Sequence, residues 1–173
     1  MSFLMKLLSY PYQMVISIRH WMFNCGLLKS EKFNTPVICV GNITVGGTGK
    51  TPTAEMIVDY MKDHYKVAVL SRGYGRRTKG YLEVKSTSSY RDVGDEPLQI
   101  KRKFPFITVA VDKSRKEGCD FLCNPDLVQT SKKARKCLHK DFPKADLIIL
   151  DDAFQHRALK PTVSIVLVDY NRP

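Results

Sequence analysis

Short apolar runs alternate along the chain with stretches in which apolar residues recur every three or four positions. The runs predict strands at residues 36–41, 66–71, 80–86, 106–111, 145–152 and 163–169, of which 80–86 is short enough to be an edge. Helical periodicity falls on 51–64 and 94–104. Near-continuous Val, Ile and Leu are typical of parallel strands covered on both faces. Residues 31–173 are therefore predicted to form a mostly parallel α/β sheet flanked by helices.

Residues 1–30 are apolar but follow a different pattern. Arg19 and His20 interrupt them, so no run reaches the roughly eighteen apolar residues that a membrane-spanning helix needs. No small-residue cleavage site of a signal peptide follows. Pro11 predicts a break between two short helices in this N-terminal segment.

An apolar stripe is predicted on the second of these helices. It consists of Met14, Ile18, Trp21 and Met22, at three- and four-residue steps. The residues alone leave two interpretations open. In one the stripe packs on the core; in the other the helix lies on a bilayer, with Lys6 and Arg19 at the headgroups and Trp21 at the boundary.

The net charge of +11 over 173 residues is concentrated in 101–140, where eleven Lys or Arg accompany four Asp or Glu. Helices with basic exposed faces are predicted over 112–144. No nucleic-acid-binding motif accompanies the charge, so we expect no nucleic-acid partner. The excess is attributed to solvated surface that also helps the protein approach an anionic membrane. Five cysteines at irregular spacing favour a reducing compartment.

The segment GNITVGGTGKTP (41–52) lies between a predicted strand and a predicted helix and carries candidate phosphate chemistry. Thr44 replaces the first glycine of the usual G-x-x-x-x-G-K-[ST] pattern, and the glycine pair that follows supplies the flexibility. Inward backbone N–H groups and a helix N-terminus form an anion site, which predicts a sheet of the P-loop NTPase type. Lys50 is expected to reach the β- and γ-phosphates of a nucleotide, and Thr51 to bind Mg²⁺. The predicted nucleotide-binding residues are Gly46, Gly47, Thr48, Gly49, Lys50, Thr51 and Pro52.

Two carboxylates follow the apolar run LIIL directly. They are Asp151 and Asp152, and a carboxylate at the end of a strand near a phosphate loop is a typical Mg²⁺ ligand. Gln155 and His156 come next and are expected close to the γ-phosphate. The sequence predicts a metal site made by Thr51 and this carboxylate pair.

Two further segments carry candidate chemistry. In VGDEP, Asp95 and Glu96 lie at a predicted helix start, where the residues alone favour capping of the helix over the role of a general base. In SRGYGRR (71–77), three arginines follow a predicted strand, at the edge where α/β sheets bind ligands. They are predicted either to grip a phosphate or to form an exposed basic loop.

Taken in order, GNITVGGTGKTP, SRGYGR, VGDEP, LDDAFQHR and VDYNRP closely resemble the tetraacyldisaccharide 4'-kinase family of lipid A biosynthesis. The resemblance covers essentially the whole chain. It implies an ATP- and Mg²⁺-dependent kinase that phosphorylates the 4'-hydroxyl of a tetraacyldisaccharide 1-phosphate and forms lipid IVA. It also implies a peripheral enzyme on the cytoplasmic face of the bacterial inner membrane, which favours the interfacial interpretation of residues 1–30.

The resemblance also implies roles for individual residues. Lys50 and Thr51 serve the phosphates and Mg²⁺, and Asp151 and Asp152 occupy the metal-binding positions. The catalytic residues carried over are Asp95 as the general base, its neighbour Glu96, Lys50 and His156. For Asp95 this reverses the preference for capping.

Members of that family are about twice as long and continue into a second lobe, so the resemblance implies a missing C-terminal lobe and a chain that is weakly active or inactive alone. Two other functions remain as alternatives. One is a P-loop GTPase of the metallochaperone type, which requires an N-K-x-D motif that the sequence lacks. The other is a basic, membrane-associated binding module with a degenerate loop.

Overall fold

A computed structural model describes residues 3–43, 48–130, 142–154 and 156–169, without the side chains of 3–9, 12, 129 and 130. The chain begins with helix α1 (Phe3–Asn24) and enters the sheet with strand β1 (Val37–Asn42). The remaining elements, in chain order, are α2 (Lys50–Met61), β2 (Val67–Ser71), β3 (Leu82–Glu83), α3 (Tyr90–Val93), α4 (Asp95–Lys103), β4 (Thr108–Val111), α5 (Arg115–Cys123), α6 (Asp126–Thr130), β5 (Leu147–Asp151) and β6 (Val163–Leu167).

The six described strands form one sheet in the order β3-β4-β2-β5-β1-β6. All neighbouring pairs are parallel except β3 and β4, which are antiparallel. The predicted mostly parallel sheet is therefore confirmed. Of the predicted strand 80–86 only Leu82 and Glu83 pair, at the edge of the sheet.

Both faces of the central strands are buried, and alternate residues pack on opposite sides. In β5, Ile148 and Leu150 join α5 in one apolar cluster, whereas Leu147 and Ile149 join α2 and α4 in the other. Contiguous apolar residues are needed for this arrangement, because a strand covered on both faces has no solvent side. The two layers place α2 and α4 together on one face of the sheet.

Helix α1 is continuous, with Pro11 inside it. The prediction of two short helices broken at Pro11 is therefore wrong. A proline removes one backbone donor and strains the preceding turn, but the other hydrogen bonds of a 22-residue helix still form. None of the helices in the described ranges combines the length and the hydropathy needed to cross a bilayer.

The chain that follows β5 attaches the C-terminal end of α1 to the sheet. The guanidinium of Arg157 donates to the carbonyl of His20 at 3.3 Å and to Oδ1 of Asn24 at 2.6 Å. Glu31 forms an isolated parallel bridge with Leu159. The C-terminal end of α1 is thus held by the chain that follows β5.

Candidate nucleotide-binding site

The candidate site lies at the edge of the sheet where β1, β2 and β5 end. Because these strands are parallel, their carboxyl ends meet at one edge, and ligands of α/β sheets bind there. The glycine-rich segment 41–52 begins at the end of β1, and the arginine loop, residues 71–77, begins at the end of β2. Asp151 is the last residue of β5, and Asp152 follows it. Helix α4 also begins at this edge. Strands β2 and β4 are parallel, so the chain must return from the end of β2 to the start of β4, and α4 is part of this return.

The start of α2 is shaped by Gly49. Its φ of 84° lies in the left-handed region, which favours glycine, and it directly precedes Lys50, the first residue of the helix. Within the first turn, Thr53 Oγ1 donates to the Gly49 carbonyl at 2.8 Å. Pro52 is exposed and Thr51 is half-buried. Gly46 and Gly47, assigned to the same segment from the sequence, lie outside the described residues.

The ammonium group of Lys50 is held between two strands. Its Nζ donates to Asn42 Oδ1 at 3.1 Å and lies 3.7 Å from Asp152 Oδ1. Asn42 Nδ2 in turn donates to Thr48 Oγ1 at 2.7 Å. Sequence reasoning missed Asn42, although an amide directly after a buried apolar run was a usable signal. The lysine charge is thus fixed beside the carboxylates that end β5.

Asp151 is fully buried, and neither of its carboxylate oxygens has a hydrogen-bond partner among the described residues. Burial raises its pKa to about 6, and the nearby carboxylates of Glu96 and Asp152 add to the effect, against Arg115 and Lys50. A buried carboxylate without donors is costly unless a cation or proton compensates it. These orphaned oxygens therefore fit a divalent cation that prefers oxygen ligands.

Asp152 has a different environment. Its side chain is 59% exposed, and its φ of 53° makes it the one non-glycine residue with positive φ in the described ranges. Those ranges contain no cluster of three or more His, Cys, Asp or Glu suited to a metal ion. Two carboxylates and the Thr51 hydroxyl suit Mg²⁺ better than a metal with an all-protein ligand set, because Mg²⁺ keeps several waters and binds substrate phosphates.

Arg115, the first residue of α5, is hydrogen-bonded to the backbone of the carboxylate pair. Although 2% exposed, its guanidinium donates to the carbonyls of Asp112 at 2.6 Å and Asp151 at 3.1 Å. Burial lowers its pKa, and Asp151 and Asp152 oppose the effect. Sequence reasoning also missed this residue, because a run of basic residues at a helix start is usually exposed.

The three arginine side chains of the arginine loop have different environments. Arg76 turns inward and donates to the carbonyl of Gly80 at 2.7 Å and to Thr78 Oγ1 at 3.3 Å, so it stabilises its own loop. Arg77 is exposed and lines a separate cavity beside β3. Arg72 is exposed at the end of β2 and is close enough to affect the pKa of Arg115.

Asp95 and Glu96 are exposed at the start of α4, as the first two residues of the helix. Gly94, not Asp95, occupies the capping position, with a φ of 91°. A Cβ at Gly94 would lie 3.2 Å from Cα of Gly73, so the arginine loop packs tightly on this helix start. Glu96 lies near enough to Asp151 to raise the pKa of that carboxyl.

His156 is half-buried, and burial lowers its pKa, with further contributions from Arg115, Arg19 and Arg72. It lines a cavity of about 210 Å³ together with Cys39. Gln155, predicted beside it, lies outside the part of the chain that the structure describes.

A parallel sheet with a lysine-bearing helix start after β1, and a carboxylate at the end of the adjacent strand, defines the P-loop class of nucleotide-binding proteins. Within that class the chain belongs to the tetraacyldisaccharide-1-P 4'-kinase family, whose family model matches residues 1–173.

Relatives and a solved structure agree with this assignment. The chain is 46% identical over 164 residues to the tetraacyldisaccharide 4'-kinase of Phocaeicola vulgatus, covering 95% of this chain and 41% of the relative. It is 43% identical over 176 residues to that of Flavobacterium psychrophilum, covering 99% and 46%. The structure of LpxK from Aquifex aeolicus in complex with ATP matches with a TM-score of 0.73 and 34% identity, over 95% of this chain and 48% of that one. The chain thus spans less than half the length of these proteins.

Proposed function

We propose that the protein transfers the γ-phosphoryl group of ATP to the 4'-hydroxyl of tetraacyldisaccharide 1-phosphate, which yields lipid IVA in lipid A biosynthesis. The observation that carries the proposal is the position of Lys50, between Asn42 and Asp152 and next to the orphaned carboxylate of Asp151. A cation, a buried carboxylate and a helix N-terminus at one sheet edge suit a nucleotide with a bound divalent ion. The names of the relatives support the choice of acceptor.

On the nucleotide side, backbone N–H groups at the start of α2 bind phosphate oxygens, and Lys50 neutralises their charge. Asn42 orients the ammonium group before the nucleotide arrives, so little reorganisation is needed. Thr51, Asp151 and Asp152 would hold Mg²⁺, and the bound ion would supply positive charge to the phosphate oxygens of the nucleotide.

On the acceptor side, Asp95 accepts the proton of the attacking hydroxyl. Its exposure at the mouth of the site suits this role, because a large substrate must reach the carboxylate. Glu96 keeps the local field negative beside Asp151, which favours cation binding there. Arg72 follows the end of β2 and is near enough to His156 to lower the pKa of that side chain. Both residues are proposed to contact phosphate oxygens.

The test is phosphate transfer from labelled ATP, measured on the protein in its longest natural form. We expect transfer to tetraacyldisaccharide 1-phosphate and none to the same lipid lacking the 4'-hydroxyl. The deoxy lipid is also expected to inhibit, since it retains the binding groups. Equal transfer to both lipids, or none to either while ATP still binds, would refute the proposed acceptor.

We further propose that α1 lies on the cytoplasmic face of the inner membrane and that the protein is peripheral. The apolar side chains of Met14, Val15 and Trp21 are 64%, 65% and 61% exposed. An exposed apolar face on a helix beside a strongly basic domain suits an anionic lipid surface. Such a surface would also present the lipid substrate.

A further inference from the structure

A carboxylate on α2 links this helix to α4 away from the nucleotide site. Glu55 has a side chain only 9% exposed, and it accepts from Gln99 Nε2 at 2.8 Å through Oε1 and from Lys103 Nζ at 2.6 Å through Oε2. Gln99 and Lys103 both belong to α4. The two carboxylate oxygens of Glu55 therefore accept hydrogen bonds from two successive turns of α4.

The spacing of these residues relates the link to the site. Glu55 lies four residues after Thr51, so both lie on the same face of α2. Gln99 lies four residues after Asp95, on one face of α4. Along the helix axes, the Glu55–Gln99 hydrogen bond thus lies about 6 Å, slightly more than one helical turn, from the level of Thr51 and Asp95.

Apolar packing alone leaves the register of the two helices loosely defined. Both pack on the same face of the sheet through residues such as Ile57 and Leu98, and apolar contacts are not directional. A hydrogen-bonded carboxylate is directional, and buried polar pairs fix register in other helix packings. A slip of α4 would move Asp95 and Glu96 relative to Lys50 and Thr51.

We propose that Glu55 is a positioning residue, which by holding Gln99 and Lys103 sets the separation between Thr51 at the start of α2 and Asp95 at the start of α4. The inference rests on the proposed kinase function for the consequence in catalysis. The link itself is a property of the fold and is testable without turnover.

The test compares Glu55→Met with Glu55→Gln in the longest natural form of the protein. The methionine removes both bonds, whereas the glutamine keeps an oxygen that accepts from Gln99. We expect Glu55→Met to lower kcat by about 10- to 100-fold, with the KM for ATP within about threefold, because misplaced groups lower the rate more than binding. Glu55→Gln is expected to recover most of kcat.

Asp59 offers a matched control. It lies four residues after Glu55 on α2 and forms an ion pair at 2.6 Å with Lys62, the C-cap of the same helix. Among the described residues, the Asp59 carboxylate makes no hydrogen bond or ion pair with a side chain of α4; only Lys62 approaches the end of that helix, 5.8 Å from the centre of the Phe104 ring. Asp59→Met should leave kcat within about twofold. Gln99→Ala, at an exposed position, is the second variant if Glu55→Met folds poorly, and should lower kcat by about tenfold.

Hydrogen exchange gives a readout independent of turnover. We expect faster exchange of the amides of α4 in Glu55→Met and unchanged exchange in Asp59→Met. An active parent protein whose Glu55→Met variant keeps its kcat and its exchange would overturn the positioning role. An inactive parent protein would refute the proposed function instead, and unchanged exchange in α4 would then still overturn the helix link.

Discussion

Helices α1 and α2 both have apolar residues at three- and four-residue steps, yet their apolar faces have different surroundings. On α2, Ala54 and Val58 are fully buried against the sheet, and Ile57 is 8% exposed. On α1, Ile18 and Trp21 of the predicted stripe are 45% and 61% exposed. Periodicity thus predicts that a helix has an apolar face, but the partner of that face depends on the rest of the fold.

The difference in burial indicates that the two helices have different roles. Because α2 is fixed by the core, its first residues hold a rigid geometry, as phosphate binding requires. Among the described residues, the hydrogen bonds that join α1 to the sheet domain lie at its C-terminal end and come from Arg157. The exposed apolar side chains of Met14, Ile18 and Trp21 are therefore available to another surface. Four experiments can break or sharpen this contrast.

The largest effect is expected at the start of α2. Lys50→Met should lower phosphate transfer by about 10³-fold, about 4 kcal/mol of transition-state stabilisation, because the ammonium group beside Asp152 is lost. Steady-state kinetics measure the effect. Lys62→Met, just beyond the other end of the helix, should change the rate by less than about twofold. Equal losses in both variants would contradict a specific role for Lys50.

The next effect contrasts the two apolar faces directly. Ile57→Ala on α2 should lower the free energy of unfolding by about 3 kcal/mol, since it leaves a cavity in a closed core. Ile18→Ala on α1 should change it by less than about 0.5 kcal/mol, since the side chain is largely in water. Urea unfolding in the absence of lipid checks both values. Comparable losses would mean that α1 packs on a core after all.

An effect of similar size is expected on the free energy of unfolding, from the buried carboxylate of Asp151 at the sheet edge where α2 begins. The pKa of Asp151 is raised from 3.8 to about 6, so the folded state holds this proton where the unfolded state has released it. Without metal, the contribution of this group to stability is fully present below pH 3.8 and is lost as the pH rises through 6. Asp151→Asn should therefore stabilise the metal-free protein at pH 8 by about 3 kcal/mol, and by almost nothing near pH 3.5.

Unfolding at the two pH values in the presence of a chelator measures this difference. Asp146→Asn, at an exposed position before β5, is the control and should show no comparable gain at pH 8. A gain that is independent of pH would show that the carboxylate charge is not its cause.

The smallest expected effect concerns lipid. Trp21→Ala should weaken binding to anionic vesicles about tenfold, because an exposed aromatic side chain leaves water when α1 binds the interface. Tyr60→Ala removes a similarly exposed aromatic side chain from α2, and should leave vesicle binding unchanged. Cosedimentation measures both. If Tyr60→Ala weakened binding as much as Trp21→Ala, α1 would not be the membrane-binding element.

Much of the fold could be predicted from the sequence because buried parallel strands require contiguous apolar residues. The strand predicted at 66–71 is observed at Val67–Ser71, and the helix predicted at 94–104 at Asp95–Lys103. The rule that proline breaks helices failed at Pro11, because a local cost is outweighed by the bonds of a long helix. Of the helices with basic exposed faces predicted over 112–144, α5 and α6 are observed, but Arg115 of α5 is buried and residues 142–144 are not helical. Residues 131–141 lie outside the described ranges.

The site was only partly predictable for a related reason. The meeting of Lys50 with Asp152 follows from parallel topology, since the strands that carry their segments end at one edge. The roles of Arg115 and Arg76 do not follow, because both donate to backbone carbonyls whose positions depend on the folded loops. Their sequence context, a basic run, is the same for an exposed and for a buried arginine.

The left-handed backbone of Asp152 restricts how this position can change during evolution. At a φ of 53°, Asp, Asn and Gly fit with little strain, whereas other side chains, β-branched ones above all, cost free energy before any effect on the site. Of these three residues only Asp carries a charge. The conformation of one residue therefore limits neutral drift at this position to two alternatives, and each of them removes a negative charge 3.7 Å from the ammonium group of Lys50.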